Sequence, residues 1–365
     1  MRRSGVVRRL TLGAATAVLL ASVLVATPAR AATVAAPVAT GLAFPAAFTV
    51  TSTGRIFYGE RLTGVVRMTD PASGWTAPFF TVPDLATAGE QGLLGIALDP
   101  EFATNPFVYI YATRVVSGVA ENQILRVRSF RATGTSMTVI YRAPAAIVHN
   151  GGRILFGPDR MLYAVTGDIS APANSQNVGS PLGKVLRMTS LGAVPPDNPF
   201  PGSLTWAYGI RNSFGLAFDP MTSALWETEN GPACNDELNR IGKGLNFGWG
   251  PTQTCATPPS PPLNTNRDGP SPVLPAAFYP SPPAVTGVAF CSGCGLGPAS
   301  EGALFYGTFN TREIRQVAFT SRARHRVASE TVAYTHPSSV LSLERGPDGS
   351  LYFSDPSGIY RLVSS

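Results

Sequence analysis

HNGGRILFGPDRMLYAVTGD, residues 149–168, sets a glycine-flanked histidine ahead of two short apolar runs. Ile154, Leu155 and Phe156 form the first run, and Leu162, Tyr163, Ala164, Val165 and Thr166 the second, with the turn formers Gly157, Pro158 and Asp159 between them. Two β-rich runs parted by such residues predict a hairpin. Gly151 and Gly152 allow backbone or a ligand to approach its entrance closely. His149, one of three histidines in the chain, then stands at the mouth of that hairpin. A lone loop histidine is more often a surface residue than a base, so its reading depends on whether the position recurs.

The pattern of apolar strand, Gly/Pro/Asp-rich turn and aromatic-bearing second strand recurs, giving six copies in all. They are FTVTSTGRIFYGE around Phe57, LLGIALDPEFATNPFVYIYAT around Tyr109, RILFGPDRMLYAVTGD around Tyr163, GLAFDPMTSALWETENG around Trp226, GVAF followed by GALFYGTF around Phe305, and LSLERGPDGSLYFSD around Tyr352. The aromatics are 52, 54, 63, 79 and 47 residues apart, the length of one four-stranded blade with its loops. Sheets that cannot each bury both faces alone must pack side by side, and six of them close a ring. The sequence therefore predicts an all-β chain folded as a six-bladed β-propeller. A β-sandwich suits so many similar units less well. The longest interval holds a Pro-rich segment at about 251–283, read as a loop insertion between the fourth and fifth units of a single domain.

Residues 1–31 read as a secretory signal peptide. Arg2, Arg3, Arg8 and Arg9 precede a mostly apolar run from Leu10 to Ala26, and Ala29-Arg30-Ala31 resembles a cleavage site. The run is short for a retained membrane anchor, and no later stretch is long and apolar enough to span a membrane. Removing the segment takes five arginines and no acid, so the formal charge falls from +6 to +1. With no basic run interleaved with aromatics, nucleic-acid binding has no support. The mature domain, residues 32–365, is rich in turn formers, with 37 glycines and 33 prolines in the whole chain. Export makes disulfides the default for Cys234, Cys255, Cys291 and Cys294. Of the three possible pairings, Cys234 with Cys255 and Cys291 with Cys294 is preferred.

Ligand sites of propellers gather where loops enter the innermost strands. His149 lies there, as do Glu90-Gln91-Gly92 before LLGIALDP and Arg211-Asn212 before GLAFDP. This shared placement favours a functional His149. Residues 228–250, TENGPACNDELNRIGKGLNFGWG, group Glu229, Asp236 and Glu237 around Gly231-Pro232; they suit either a calcium site or a solvated turn. Lys184 either holds an anion or faces water. No Gly-x-Ser-x-Gly elbow, Walker loop or HExxH motif is present, which sets aside several hydrolase and phosphoryl-transfer readings.

Taken together, EQGLLGIALDPEF, HNGGRILFGPD, GKVLRM with PPDNPF, YGIRNSFGLAFDP, GPACNDELNRI with GLNFGWG, and GPDGSLY resemble the glucose/sorbosone dehydrogenases, the soluble PQQ-dependent sugar dehydrogenases. The match runs in order over nearly the whole mature chain. The resemblance implies oxidation of an aldose at C1 to the lactone, with pyrroloquinoline quinone (PQQ) and calcium as cofactors and an external electron acceptor. His149 would be the general base and Arg211 and Asn212 the pair touching the quinone. Gly231 and Pro232 would offer backbone carbonyls to the calcium.

The chain departs from the family pattern at Asn310, Ser339 and Leu341, where the family carries cations for the cofactor's carboxylates. Unpaired buried anions are costly, which leaves Arg312, Arg345 or Lys184 to replace them. Val148 and Ile169 stand where the family contacts sugar with polar groups. These departures keep open a non-enzymatic propeller that binds carbohydrate or a surface partner, and a metal-dependent lactonase-like hydrolase using the same channel.

Overall fold

A computed structural model of the chain describes residues 32–253, 255 and 266–365, together with Met1 and Gly5. The rest of the expected export signal lies outside the described residues, as do residue 254 and residues 256–265 of the Pro-rich segment. The unit from Ala32 to Ser365 is almost wholly β. After β1 (Thr33–Thr40), blade 1 comprises β2 (Pro45–Val50), β3 (Ile56–Glu60), β4 (Val65–Asp70) and β5 (Trp75–Thr81). Blade 2 comprises β6 (Leu93–Leu98), β7 (Phe107–Val116), β8 (Val119–Phe130) and β9 (Thr133–Pro144). In blade 3, β10 (Ile154–Phe156) and β11 (Leu162–Thr166) precede the short helix α1 (Ala173–Gln176), β12 (Lys184–Met188) and β13 (Thr205–Tyr208). Blade 4 has β14 (Ser213–Phe218), β15 (Leu225–Glu229), β16 (Asp236–Ile241) and β17 (Ala277–Tyr279). Blade 5 has β18 (Val285–Phe290), β19 (Leu304–Thr308), β20 (Glu313–Phe319) and β21 (Val327–Thr335). β22 (Ser342–Arg345), β23 (Leu351–Asp355) and β24 (Gly358–Ser364) complete the chain.

Six four-stranded antiparallel sheets result, five built from consecutive strands and the sixth in the order β1-β24-β23-β22. The first strand of each blade touches the first strand of the next all the way round, so the sheets form a six-bladed propeller. The six aromatics that mark the repeat all lie on the second strand of a blade, and each first hairpin is one copy of the sequence unit. The Pro-rich segment joins the third and fourth strands inside blade 4, with its tail supplying β17. The segment falls between the fourth and fifth hairpin units, and three apolar residues within it, Ala277–Tyr279, pair with β16.

The core is distributed. Six buried apolar clusters occur, one at each blade junction. Alternation along the inner strands explains this, because successive side chains point to opposite faces. Leu93 and Ile96 face blade 1, whereas Leu94 and Ala97 face blade 3. The repeat aromatics bridge blades edge-on, with Tyr109 against Phe156 at 5.0 Å and Tyr163 against Phe218 at 5.1 Å. Such pairs contribute roughly 0.5–1.5 kcal/mol beyond area burial. Near the axis the inner strands crowd. A β-carbon on Gly95, Gly215 or Gly287 would collide with backbone of the next blade, which accounts for the small step in LLGIAL, SFGLAF and VTGVAF.

Disulfides join Cys234 to Cys255 and Cys291 to Cys294, the pairing preferred from sequence. Among the described residues no helix is long and apolar enough to cross a membrane.

Candidate active site

Residues at or just before the N-terminal ends of all six inner strands line one axial cleft of about 430 Å³. His149, Arg211, Asn212, Gly231 and Pro232 all line it; positions far apart in sequence thus meet. In blades 1, 2, 4 and 5 a register shift sits at this end of the inner strand. Such bulges re-aim side chains beside sites.

His149 holds a left-handed backbone conformation with φ of 58°, uncommon for a residue with a side chain and a hallmark of constrained sites. Its backbone is pinned on both sides. The amide donates to Glu90 Oε2 at 2.7 Å, and the carbonyl accepts from the Ile169 amide at 3.2 Å. Gly167 carries no side chain because a β-carbon there would overlap the His149 carbonyl. The neighbouring Asn150, fully buried, fixes the loop through Asn122 and Ala146.

The imidazole Nδ1 lies 2.6 Å from Asp168 Oδ1. Asp168 is wholly buried, and its other oxygen accepts the Trp249 indole N–H at 2.8 Å. A carboxylate only accepts, so Nδ1 is the donor in this contact, and in the neutral ring Nε2 is the acceptor. With 14% of its side-chain surface accessible, the ring remains open to the cleft. The arrangement is an imidazole oriented by a buried carboxylate, a geometry that suits a general base.

Arg211 and Asn212 are locked into the same network. The Arg211 carbonyl accepts from the Asp168 amide at 2.8 Å, its amide donates to Glu229 Oε1 at 2.7 Å, and its guanidinium lies over the Trp249 ring at 5.4 Å. Burial holds the Arg211 pKa below its usual value, while Asp168 and Glu229 push it back up. Asn212 donates to Glu90 Oε2 at 3.1 Å, and its buried amide oxygen has no protein partner. Glu90 thereby ties the His149 loop to Asn212 across blades 2, 3 and 4.

The Gly231 amide is anchored on Asp236 Oδ1 at 3.0 Å. Asp236 and Glu237 are strand residues of β16 and Glu229 ends β15, all buried inside blade 4. Burial raises the carboxyl pKa to about 6 in Asp236 and about 8 in Glu237, and well above normal in Glu229. The sequence reading of these three as carboxylates grouped in a loop is therefore corrected. Among the described residues there is no cluster of His, Cys, Asp and Glu suited to a metal.

Of the three positions where family cations are absent, Leu341 alone lines the cleft. Asn310 is exposed, donating to the Pro282 carbonyl at 3.3 Å, and its neighbour Phe309 enters the lining instead. The replacements expected from sequence lie elsewhere. Lys184 is fully buried, its ammonium donating to the carbonyls of Asn174, Ser175 and Leu182. Arg345 is bonded to the Ser292 carbonyl, and Arg312 to that of Pro337. Neither Val148 nor Ile169 lines the cleft, and Ile169 packs at the junction of blades 2 and 3.

Sequence reasoning missed Asp168 and Trp249 as partners of the base, and Arg61 and Arg153 as cleft residues. Only the first had a signal, since Asp168 closes the TGD turn of the central hairpin.

The fold and the site define a class: a six-bladed propeller with a paired histidine and aspartate and three arginines at a cleft on its axis. Residues 42–361 match the family described as Glucose / Sorbosone dehydrogenase, and the chain belongs to that family of oxidoreductases. It is 28% identical over 309 residues to the aldose sugar dehydrogenase YliI of Escherichia coli, covering 79% of this chain and 81% of the relative. It is 33% identical over 228 residues to quinoprotein glucose dehydrogenase B of Acinetobacter calcoaceticus, covering 53% and 48%. The structure of the PQQ-bound form of an aldose sugar dehydrogenase from Streptomyces coelicolor superposes with a TM-score of 0.77 at 28% identity, over 93% of this chain and all of that one.

Proposed function

We propose that the chain is a secreted, PQQ- and calcium-dependent aldose dehydrogenase that oxidises C1 of a sugar to the lactone and passes electrons to an external acceptor. The observation that carries this reading is His149: its Nδ1 is committed to Asp168 while the residue lines the axial cleft.

The residues present fit the cofactor pair. Asn212 leaves a buried amide oxygen unpartnered at the cleft wall, and Arg61, Arg153 and Arg211 line the cleft, where they suit an anionic, planar ligand. Arg211 and Asn212 would hold the quinone, and the carbonyls of Gly231 and Pro232 would suit a hard cation with oxygen ligands. When bound, PQQ supplies the two-electron acceptor and calcium its polarisation.

His149 Nε2 takes the proton of the C1 hydroxyl as the C1 hydrogen leaves with its electron pair. Asp168 stabilises the imidazolium that forms and prevents the ring from turning. The Arg211 guanidinium, half-buried and lying over the Trp249 ring, stabilises negative charge developing in front of it. Leu94, Phe214 and Leu341 line the same walls, restricting water around the base. The expected export signal, if removed after residue 31, places the enzyme outside the cytoplasm, where the two disulfides persist.

The test is titration of the purified mature protein with PQQ and calcium, followed by an aldose panel with an artificial electron acceptor. Saturable uptake with turnover that falls by about 10²- to 10⁴-fold in His149→Ala supports the assignment. Failure of PQQ to bind at micromolar concentration overturns it and leaves a sugar-binding propeller using the same cleft.

A further inference from the structure

The cleft contains an imbalance of charge that the expected site residues do not explain. Its charged lining consists of Arg61, Arg153 and Arg211 against the single carboxylate Glu90. None of the three arginines lies within salt-bridge distance of an acid among the described residues. Each is held by backbone carbonyls instead. Arg61, at the tip of the β3–β4 hairpin, donates from Nε to Gln91 at 3.1 Å and from Nη2 to Gly89. Arg153 donates from Nε to Phe214 at 2.7 Å and from Nη2 to Leu341 at 2.8 Å. Arg211 donates from Nη1 to Asn230 at 2.9 Å.

Carbonyl acceptors fix a guanidinium in place without cancelling its charge. A guanidinium has five N–H donors, so each arginine keeps donors for a ligand. Burial depresses the pKa of all three, and the nearby carboxylates, Glu90 for Arg61, Glu344 for Arg153 and Asp168 with Glu229 for Arg211, offset it only in part. The cost of that arrangement is relieved when an anion enters. The three side chains also come from three blades, 1, 3 and 4, and so surround an occupant rather than meet one edge of it.

We propose that Arg61, with Arg153 and Arg211, forms the receptor for the carboxylates of the cofactor, replacing the cations absent at Asn310, Ser339 and Leu341. The assignment rests on the dehydrogenase reading above. It makes Arg61 a cofactor-binding residue and gives Leu341 a second role: its backbone carbonyl orients Arg153 where a charged side chain is missing.

Arg61 is the position to vary, because Arg153 bridges blades 4 and 6 and its removal threatens the fold. PQQ with calcium is titrated into the mature chain and into Arg61→Gln, Arg61→Lys and Arg312→Gln, with no sugar present, following quenching of protein fluorescence. Loss of one charge-assisted contact predicts a Kd raised about 10- to 100-fold in Arg61→Gln. Arg61→Lys should recover most of that loss, and Arg312→Gln, an exposed site on a neighbouring loop, should stay within about twofold of wild type. Unchanged thermal unfolding of the apo variants shows that the fold is intact. Wild-type affinity in Arg61→Gln, or an equal loss in Arg312→Gln, overturns the assignment while leaving the dehydrogenase standing. A wild-type chain that takes up no PQQ overturns the functional reading itself.

Discussion

At the scale of single residues, the proposed chemistry would depend on which nitrogen of His149 carries the proton. Asp168 decides this by accepting from Nδ1 at 2.6 Å, and Trp249 secures Asp168 through its indole N–H at 2.8 Å. Asparagine at 168 keeps the size of the side chain but can offer an N–H to Nδ1, which would put the ring proton on Nε2, facing substrate. We therefore expect Asp168→Asn to lower kcat by about 10²- to 10⁴-fold. Its PQQ affinity should stay near wild type, because Asp168 is buried behind the ring and does not line the cleft. Steady-state kinetics beside a cofactor titration checks both halves. A purely structural role would weaken cofactor uptake and turnover together.

At the scale of the element, blade 4 buries three glutamates in two adjacent strands. Glu229 on β15 pairs directly with Glu237 on β16, and Glu227 faces Asn239 one step along. Asn239 donates to Glu227 at 3.2 Å and to Glu237 at 3.1 Å. These contacts do not offset burial, which drives the carboxyls of Glu227 and Glu237 up to about 8 and raises that of Glu229 well above normal. The folded state therefore holds protons that the unfolded chain releases near the ordinary carboxyl pKa. The resulting stability is full at pH below about 4 and is lost as pH rises toward about 8. Urea unfolding of the metal-free protein should show a free energy that declines between pH 5 and pH 8. Glu227→Gln should flatten part of that slope. A pH-independent midpoint would mean that the acids are ionised throughout.

At the scale of the whole molecule, stability depends on closure. β1 pairs with β24 over Thr33 to Thr40, so the first described strand completes the last blade and covers the outer side of β24. Deleting residues 33–40 exposes β24 and loosens blade 6 against blade 1. The expected result is a melting temperature lowered by more than about 10 °C, since each kcal/mol lost costs several degrees in a domain of this size. Differential scanning calorimetry reads it directly, and a melting point within about 3 °C of wild type would show that the ring closes without β1.

Six aromatics at similar spacing, each behind a Gly/Pro/Asp turn, were enough to specify strands, blade count and ring, because period-two burial and turn chemistry are local properties of the chain. The same placement argument singled out His149, Arg211 and Asn212, each just ahead of an inner strand, and all three line the cleft. The N-terminal strand's return to blade 6 was not legible, since nothing in TVAAPVAT names a partner some 320 residues away. Nor were the cations of the cleft: Arg61 and Arg153 sit in unrelated local contexts, and only packing around the axis brings them beside Arg211. Local pattern determined the elements and their order. Charge balance in the cleft and the protonation of His149 are properties of groups distant in sequence, and the closed ring alone decides which of them meet.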